Sequence, residues 1–140
     1  MDGIKSAPKI RASFCVVGRN WDPQECTEAL GIQPTKMWHQ KRPALRKRPD
    51  LNTEEWVLVW EKQELYDTDE AVQGVLNMIY PARDRLRAFL QANGLRCTVV
   101  CTVFIGGDRT ADRPVYELSP QTIERLATLG AGFMMDVYFD

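Results

Sequence analysis

The sequence predicts an α+β fold, with one mostly antiparallel sheet of about six strands and helices on one face. Two kinds of segment carry this reading. Residues 55–61 and 96–105 alternate with the period of a strand. Helical stretches stand between such segments, opened by a capping residue with proline and closed by leucine with glycine. Along the chain the two kinds follow the order β-α-β-β-α-β-β-α-β.

The last third has the clearest punctuation. Residues 114–118 read as a strand, Ser119-Pro120 as a helix start, 121–129 as the helix, Gly130 as its stop and 131–139 as a final strand. A shorter version stands near the start: 12–17, Asp22-Pro23, 24–30, Gly31. Asp22 and Ser119 offer side-chain oxygens to the free amides of a first helical turn. Pro23 and Pro120 occupy the first helical position, where a missing amide costs nothing. Trp21 with Cys26, and Leu118 with Ile123, have the spacing of a hydrophobic staple. Gly31 and Gly130 suit the left-handed conformation of a helix stop. The likeness fits an internal repeat, and it also fits two ordinary helices.

The remaining elements fall between these units. Residues 1–9 read as a loose tail on a single domain spanning 1–140. Residues 11–17 form the first strand, with Ala12, Phe14 and Val16 on one face. Residues 36–40 are a short second strand, and 41–53 are irregular, broken by Pro43 and Pro49. In 55–61, Trp56, Leu58 and Trp60 share a face. Residues 67–93 are helical, with Asp67 and Glu70 in a capping pattern and Val72, Val75, Leu76 and Ile79 along one face. Pro81 lacks the amide an unbroken helix needs, so two pieces are expected, 69–80 and 81–93. Residues 96–105 are apolar on both faces, as in an interior strand. A polar turn at 106–113 leads by a hairpin to 115–117. The first six elements match a ferredoxin-like order, to which a β-α-β unit is added.

Composition bounds the function. The chain has 140 residues, 44% of them hydrophobic, and a formal net charge of -1. That balance gives no global attraction to nucleic acid or a membrane surface. No apolar run is long enough to span a bilayer, and residues 1–9 lack the apolar core of a secretion signal. A cytoplasmic protein is expected. Cys97 and Cys101 share a strand face about 13 Å apart, too far for a disulfide or one zinc ion. Cys15 and Cys26 stand in apolar patterns as well. Buried thiols are expected, and neither a metal nor a cofactor is implied.

The strand before Asp22-Pro23, the Leu30-Gly31-Ile32-Gln33-Pro34-Thr35 stretch, the Trp56 strand, Leu129-Gly130-Ala131 and Met135-Asp136-Val137-Tyr138 together resemble the bacterial domain-of-unknown-function family DUF4279. The resemblance covers almost the whole chain. It implies a small bacterial α+β protein and carries over no catalytic residue. The basic loop at 41–48 is longer than the family leads one to expect.

Four groups are candidates for function. Lys36, Lys41, Arg42, Arg46, Lys47 and Arg48, with Trp38 and His39 interleaved, combine cations and a stacking platform suited to a phosphate backbone or an unpaired base. A solvated loop has the same composition. Asp136 lies in an apolar strand with Tyr138 on the same face, so its carboxylate calls for a partner such as Arg11 or Arg19. Trp21 and Trp38 flank turns, whereas Trp56 and Trp60 suit a core. Glu61, Glu64, Asp67, Asp69 and Glu70 suit the start of a helix. His39 is the only histidine, no phosphate-binding glycine loop is present, and no catalytic residues emerge. The expected function is a non-catalytic intracellular protein-binding domain, of the immunity-type inhibitor or adaptor kind. The alternatives are nucleic-acid or polyanion binding through 36–48, and a small-molecule pocket near Asp136 and Tyr138. Homo-oligomers are compatible with all three.

Overall fold

A computed structural model describes residues 7–38, 54–106 and 113–139. Its elements are β1 (Lys9–Gly18), α1 (Pro23–Leu30), β2 (Lys36–Trp38), β3 (Glu54–Lys62), α2 (Thr68–Ile79), a 3-10 turn (Tyr80–Ala82), α3 (Arg83–Asn93), β4 (Arg96–Ile105), α4 (Pro120–Leu129) and β5 (Gly132–Phe139). The fold is α+β, built on one mixed sheet of five strands in the order β2-β3-β1-β4-β5. Three pairings are antiparallel, and β5 lies parallel to β4.

The register places Ile10, Ala12, Phe14 and Val16 on the face that also carries Trp56, Leu58, Cys97, Val99, Cys101 and Val103. These side chains are buried and form one core with Cys26 and Leu30 of α1, Val72, Val75, Leu76 and Ile79 of α2, Leu86 and Leu90 of α3, and Leu126 and Leu129 of α4. The helices therefore cover that face. The other carries Lys9, Arg11, Ser13 and Cys15 of β1 beside the matching residues of β3 and β4.

The expected helix punctuation is present. Asp22 accepts from the amide of Gln24 and Ser119 from that of Thr122, while Gly31 and Gly130 both have φ 68°. Ile123, however, is exposed, so the second staple does not bury its apolar end. The break at Pro81 is also there: a 3-10 turn spans Tyr80–Ala82, and α3 restarts at Arg83. Proline sits in that turn where no α-helical amide is required. Asp84, Arg85 and Arg87 face solvent, while Leu86 and Leu90 stay in the core.

One expected strand is missing. Residues 115–117 do not extend the sheet, and Val115 makes only an isolated parallel bridge to Asp67. Its backbone groups are spent on the start of α2. The Val115 amide donates to the Tyr66 carbonyl at 2.7 Å, and its carbonyl accepts from the Thr68 amide at 3.1 Å. The Thr68 hydroxyl donates to the carbonyls of Val115 and Glu117 and accepts from the Glu117 amide. Without the hairpin, β4, α4 and β5 form one crossover unit, which runs the last strand parallel to β4. Among the described residues the sheet thus has five strands, not six, and β5 ends the strand order.

Candidate functional site

Two surfaces bring chemically informative residues together. The first lies where α2 and α4 begin. A cleft of about 340 Å³ is lined by Asp67, Asp69, Val115, Glu117 and Ser119. Two helix N-termini meeting in one place favour negative charge. The protein supplies that charge itself. Asp67 caps α2 through the Asp69 amide, and Asp69 accepts from the Ser119 amide at 2.9 Å and from Gln73 Nε2 at 2.6 Å. Burial pushes the Asp69 pKa up, but hydrogen bonds from Thr122, Ser119 and Gln73 outweigh it, leaving the carboxyl below its ordinary 3.8. The cleft is therefore a joint between helices with its own counter-charge, poorly suited to an anionic ligand.

Because the folded pKa is depressed, Asp69 stabilises the fold above the ordinary carboxylate range, and this contribution is lost as pH falls through its folded value. An Asp69→Asn variant is expected to melt at a lower temperature at neutral pH and to lose less on acidification than the wild type. Thermal melts across the acid range check this. Equal acid slopes for the two proteins would contradict it.

The second surface is the C-terminal side of the sheet. On the face away from the helices, one cross-strand row reads Glu61, Arg11, Thr102, Asp136. Arg11 Nε donates to Glu61 Oε1 at 2.8 Å, and Lys9 Nζ stands 3.9 Å from the same oxygen. Arg11 thus pairs with Glu61 rather than with Asp136. Glu61 is on the adjacent strand, whereas Asp136 is two strands away, about 10 Å at normal sheet spacing. Asp136 is half-buried opposite Thr102. The next row stacks Tyr138 on Phe104 with ring centroids 5.7 Å apart. Lys9 Nζ lies 4.5 Å and the Arg11 guanidinium 5.2 Å from the centre of the Phe104 ring. Tyr138 therefore has one side held by an aromatic partner and the other open.

β5 itself is the most exposed apolar element. Phe133, Met134, Val137, Tyr138 and Phe139 are 40%, 53%, 38%, 55% and 59% exposed. The register puts Phe133, Val137 and Phe139 on the helix face and Met134 and Tyr138 on the opposite one. Exposure on both faces is the pattern of an edge strand. Among the described residues no strand lies beyond β5. Arg113 stands over the Phe139 ring at 5.4 Å.

Residues 8–140 match the family described as a domain of unknown function, DUF4279. The chain belongs to the DUF4279 family. No curated protein and no solved structure gives a significant match to it.

In this DUF4279 chain the residues singled out from sequence are distributed as follows. Asp136 and Tyr138 share one face of β5, next to Phe104 and the Arg11 row. Trp38 is exposed at the end of β2, with Lys36 Nζ 5.7 Å from its ring. His39, Lys41, Arg42, Arg46, Lys47 and Arg48 lie outside the described residues. Trp21 is structural: its Nε1 donates to the Glu54 carbonyl at 3.0 Å and its ring meets Phe89 edge-on at 6.1 Å. Periodicity does not single out Phe133, Met134, Val137 and Phe139, because an apolar last strand looks the same whether it is covered or at an edge. Their signal is composition: seven of the eight residues of β5 carry no charge, and neither lysine nor proline guards it.

The four cysteines are all buried and unpaired. Burial pushes the Cys15, Cys97 and Cys101 thiols up to about 11 and Cys26 up to about 12. For Cys15 the Glu55 carboxylate adds to the rise and Lys36 works against it. Such thiols are poor nucleophiles and poor metal ligands at neutral pH. Among the described residues no group of three or more histidine, cysteine or acidic side chains is placed to hold a metal ion. A thiol reagent added to the native protein is expected to label none of the four, with labelling tracking denaturant-induced unfolding. Fast reaction of any one of them in native buffer would contradict this. No helix among the described residues is long and apolar enough to cross a membrane.

Proposed function

We propose that this DUF4279 chain is a non-catalytic intracellular protein-binding domain, of inhibitor or adaptor type, whose binding surface is the outer edge of β5. One observation carries the reading: the apolar side chains of β5 are open to solvent on both faces of the strand. A layer packed on either face alone leaves the other half uncovered. An extended segment laid beside β5 meets side chains on both faces, and its backbone pairs with the outward amides and carbonyls of the strand. Apolar neighbours give such a segment its affinity, and the held ring of Tyr138 gives it a fixed contact. The reading involves no reaction, in keeping with buried, high-pKa thiols and an acidic cleft that is internally paired.

The test is selection of binding peptides from a random library displayed in extended form. Selected peptides are expected to lose binding to Met134→Lys and Val137→Lys, which place a cation on either face of the edge. They should keep binding to Ile123→Lys, which alters an exposed apolar residue on α4. Peptides indifferent to both β5 variants, or no enriched peptides at all, would refute the proposal.

A further inference from the structure

We infer that a second copy of this chain occupies the β5 edge, joining two five-stranded sheets into one through antiparallel pairing of β5 with itself. The inference rests on reading β5 as a protein-binding strand and names its partner.

The edge selects by what it lacks. Asp136 is the one charged residue of β5, so the strand offers almost nothing to a basic or an acidic peptide. The segment that complements it is extended, apolar on both faces and nearly uncharged. β5 is itself such a segment, and a two-fold axis presents the same patch to the same patch.

The other end of the strand order is shorter. Among the described residues β2 has three, Lys36–Trp38, with Lys36 exposed. β5 has eight. Pairing at the long edge alone gives a closed dimer rather than an open fibre.

The register follows from the faces. An axis normal to the sheet keeps the helices of both copies on one side. Residues opposite each other then belong to the same face, so the axis passes through a residue position of β5. Passing it through Asp136 would set two carboxylates against each other, which is unfavourable for directly opposed strand residues. Passing it through Met135 or Val137 places each Asp136 opposite the partner's Met134 or the partner's Tyr138 instead.

The area fits a modest affinity. At the stated exposures, the five apolar side chains of β5 present roughly 500 Å² on each copy and at most roughly 1,000 Å² in the pair, since in-plane pairing leaves part of both faces open. That is the lower bound of specific interfaces, and the strand backbones add to it. Dissociation in the micromolar range is therefore expected.

Sedimentation velocity of the full chain, from low micromolar to near-millimolar concentration, tests this. The wild type is expected to move from monomer to dimer across that range and to stop there. Met134→Lys and Val137→Lys are expected to weaken association by about tenfold or more, as lysines do on natural sheet edges. Both must keep the wild-type circular dichroism and a cooperative melt; Tyr138→Ser, milder in charge, replaces either one that fails this check and should also weaken pairing. Three results would overturn the inference: a wild type monomeric at every concentration, a dimer untouched by β5 variants, or assembly beyond the dimer. If the chain stays monomeric yet library peptides still bind at β5, self-pairing is wrong and the protein-binding reading stands. If neither occurs, both fail.

Discussion

Replacing Trp56 by Ala is expected to lower the free energy of unfolding by about 4 kcal/mol, as for other fully buried aromatic residues. Trp56 has no exposed surface and sits on the helix face of β3, opposite Val16 of β1. Its Nε1 donates to the Thr27 hydroxyl of α1 at 3.0 Å, a buried hydrogen bond that ties the first helix to the sheet. Truncation removes the ring and opens a cavity between α1 and the strands. Since a domain of this size is stable by only about 5–15 kcal/mol, the variant should be close to unfolding at moderate temperature. A second substitution separates packing from polarity. Thr27→Val keeps the shape but leaves the indole N–H without its acceptor, and should cost about 1–3 kcal/mol. Denaturant titration of both variants checks this. A loss below about 1 kcal/mol for Trp56→Ala would mean that the α1 side of the core is loose, contrary to its burial.

The second large effect is at Gly74, in the middle of α2. On helix propensity alone, alanine there should stabilise by about 1 kcal/mol. The opposite is expected. A Cβ at Gly74 would lie 2.5 Å from Cδ2 and Cε2 of Trp60 and 2.8 Å from Cγ. These atoms are at the root of the ring, so the indole cannot step aside by bending its far end. Gly74→Ala should therefore cost about 1–3 kcal/mol, the usual range for overpacking. In a Trp60→Ala background the same change should become neutral or stabilising, because only propensity remains. If Gly74→Ala is stabilising with Trp60 intact, the close approach of α2 to β3 is wrong.

The same local signals explain what the sequence made legible. Asp22, Ser119, Gly31 and Gly130 act through hydrogen bonds and backbone angles within a few residues of themselves. Pro81 acts in the same way, through its own missing amide. Strand β4 shows its alternation over its full length of ten residues. The failures concern partners distant in sequence. Residues 115–117 have a strand-like pattern, but Thr68 and Asp69, almost fifty residues earlier, take up the hydrogen bonds of this stretch. Arg11 was a candidate partner for Asp136, and strand order alone hands it to Glu61. The open strand edge was hidden for the same reason. Gly132–Phe139 reads as an apolar final strand, and its place at the end of the strand order is set by pairings with residues distant in sequence. Asp136 and Tyr138 were picked out for a pocket on one face. Their wider setting is an apolar strand open on both.

Amide hydrogen exchange tests the role of β5 most directly. The protein is held at the dilute end of the sedimentation range, with and without a library-selected peptide. The peptide is expected to slow exchange within Gly132–Phe139 and to leave the start of α2, the start of α4 and β2 unchanged. Slowing confined to Thr68 and Ser119 around the acidic cleft, or to Lys36–Trp38, with β5 unaffected, would contradict it.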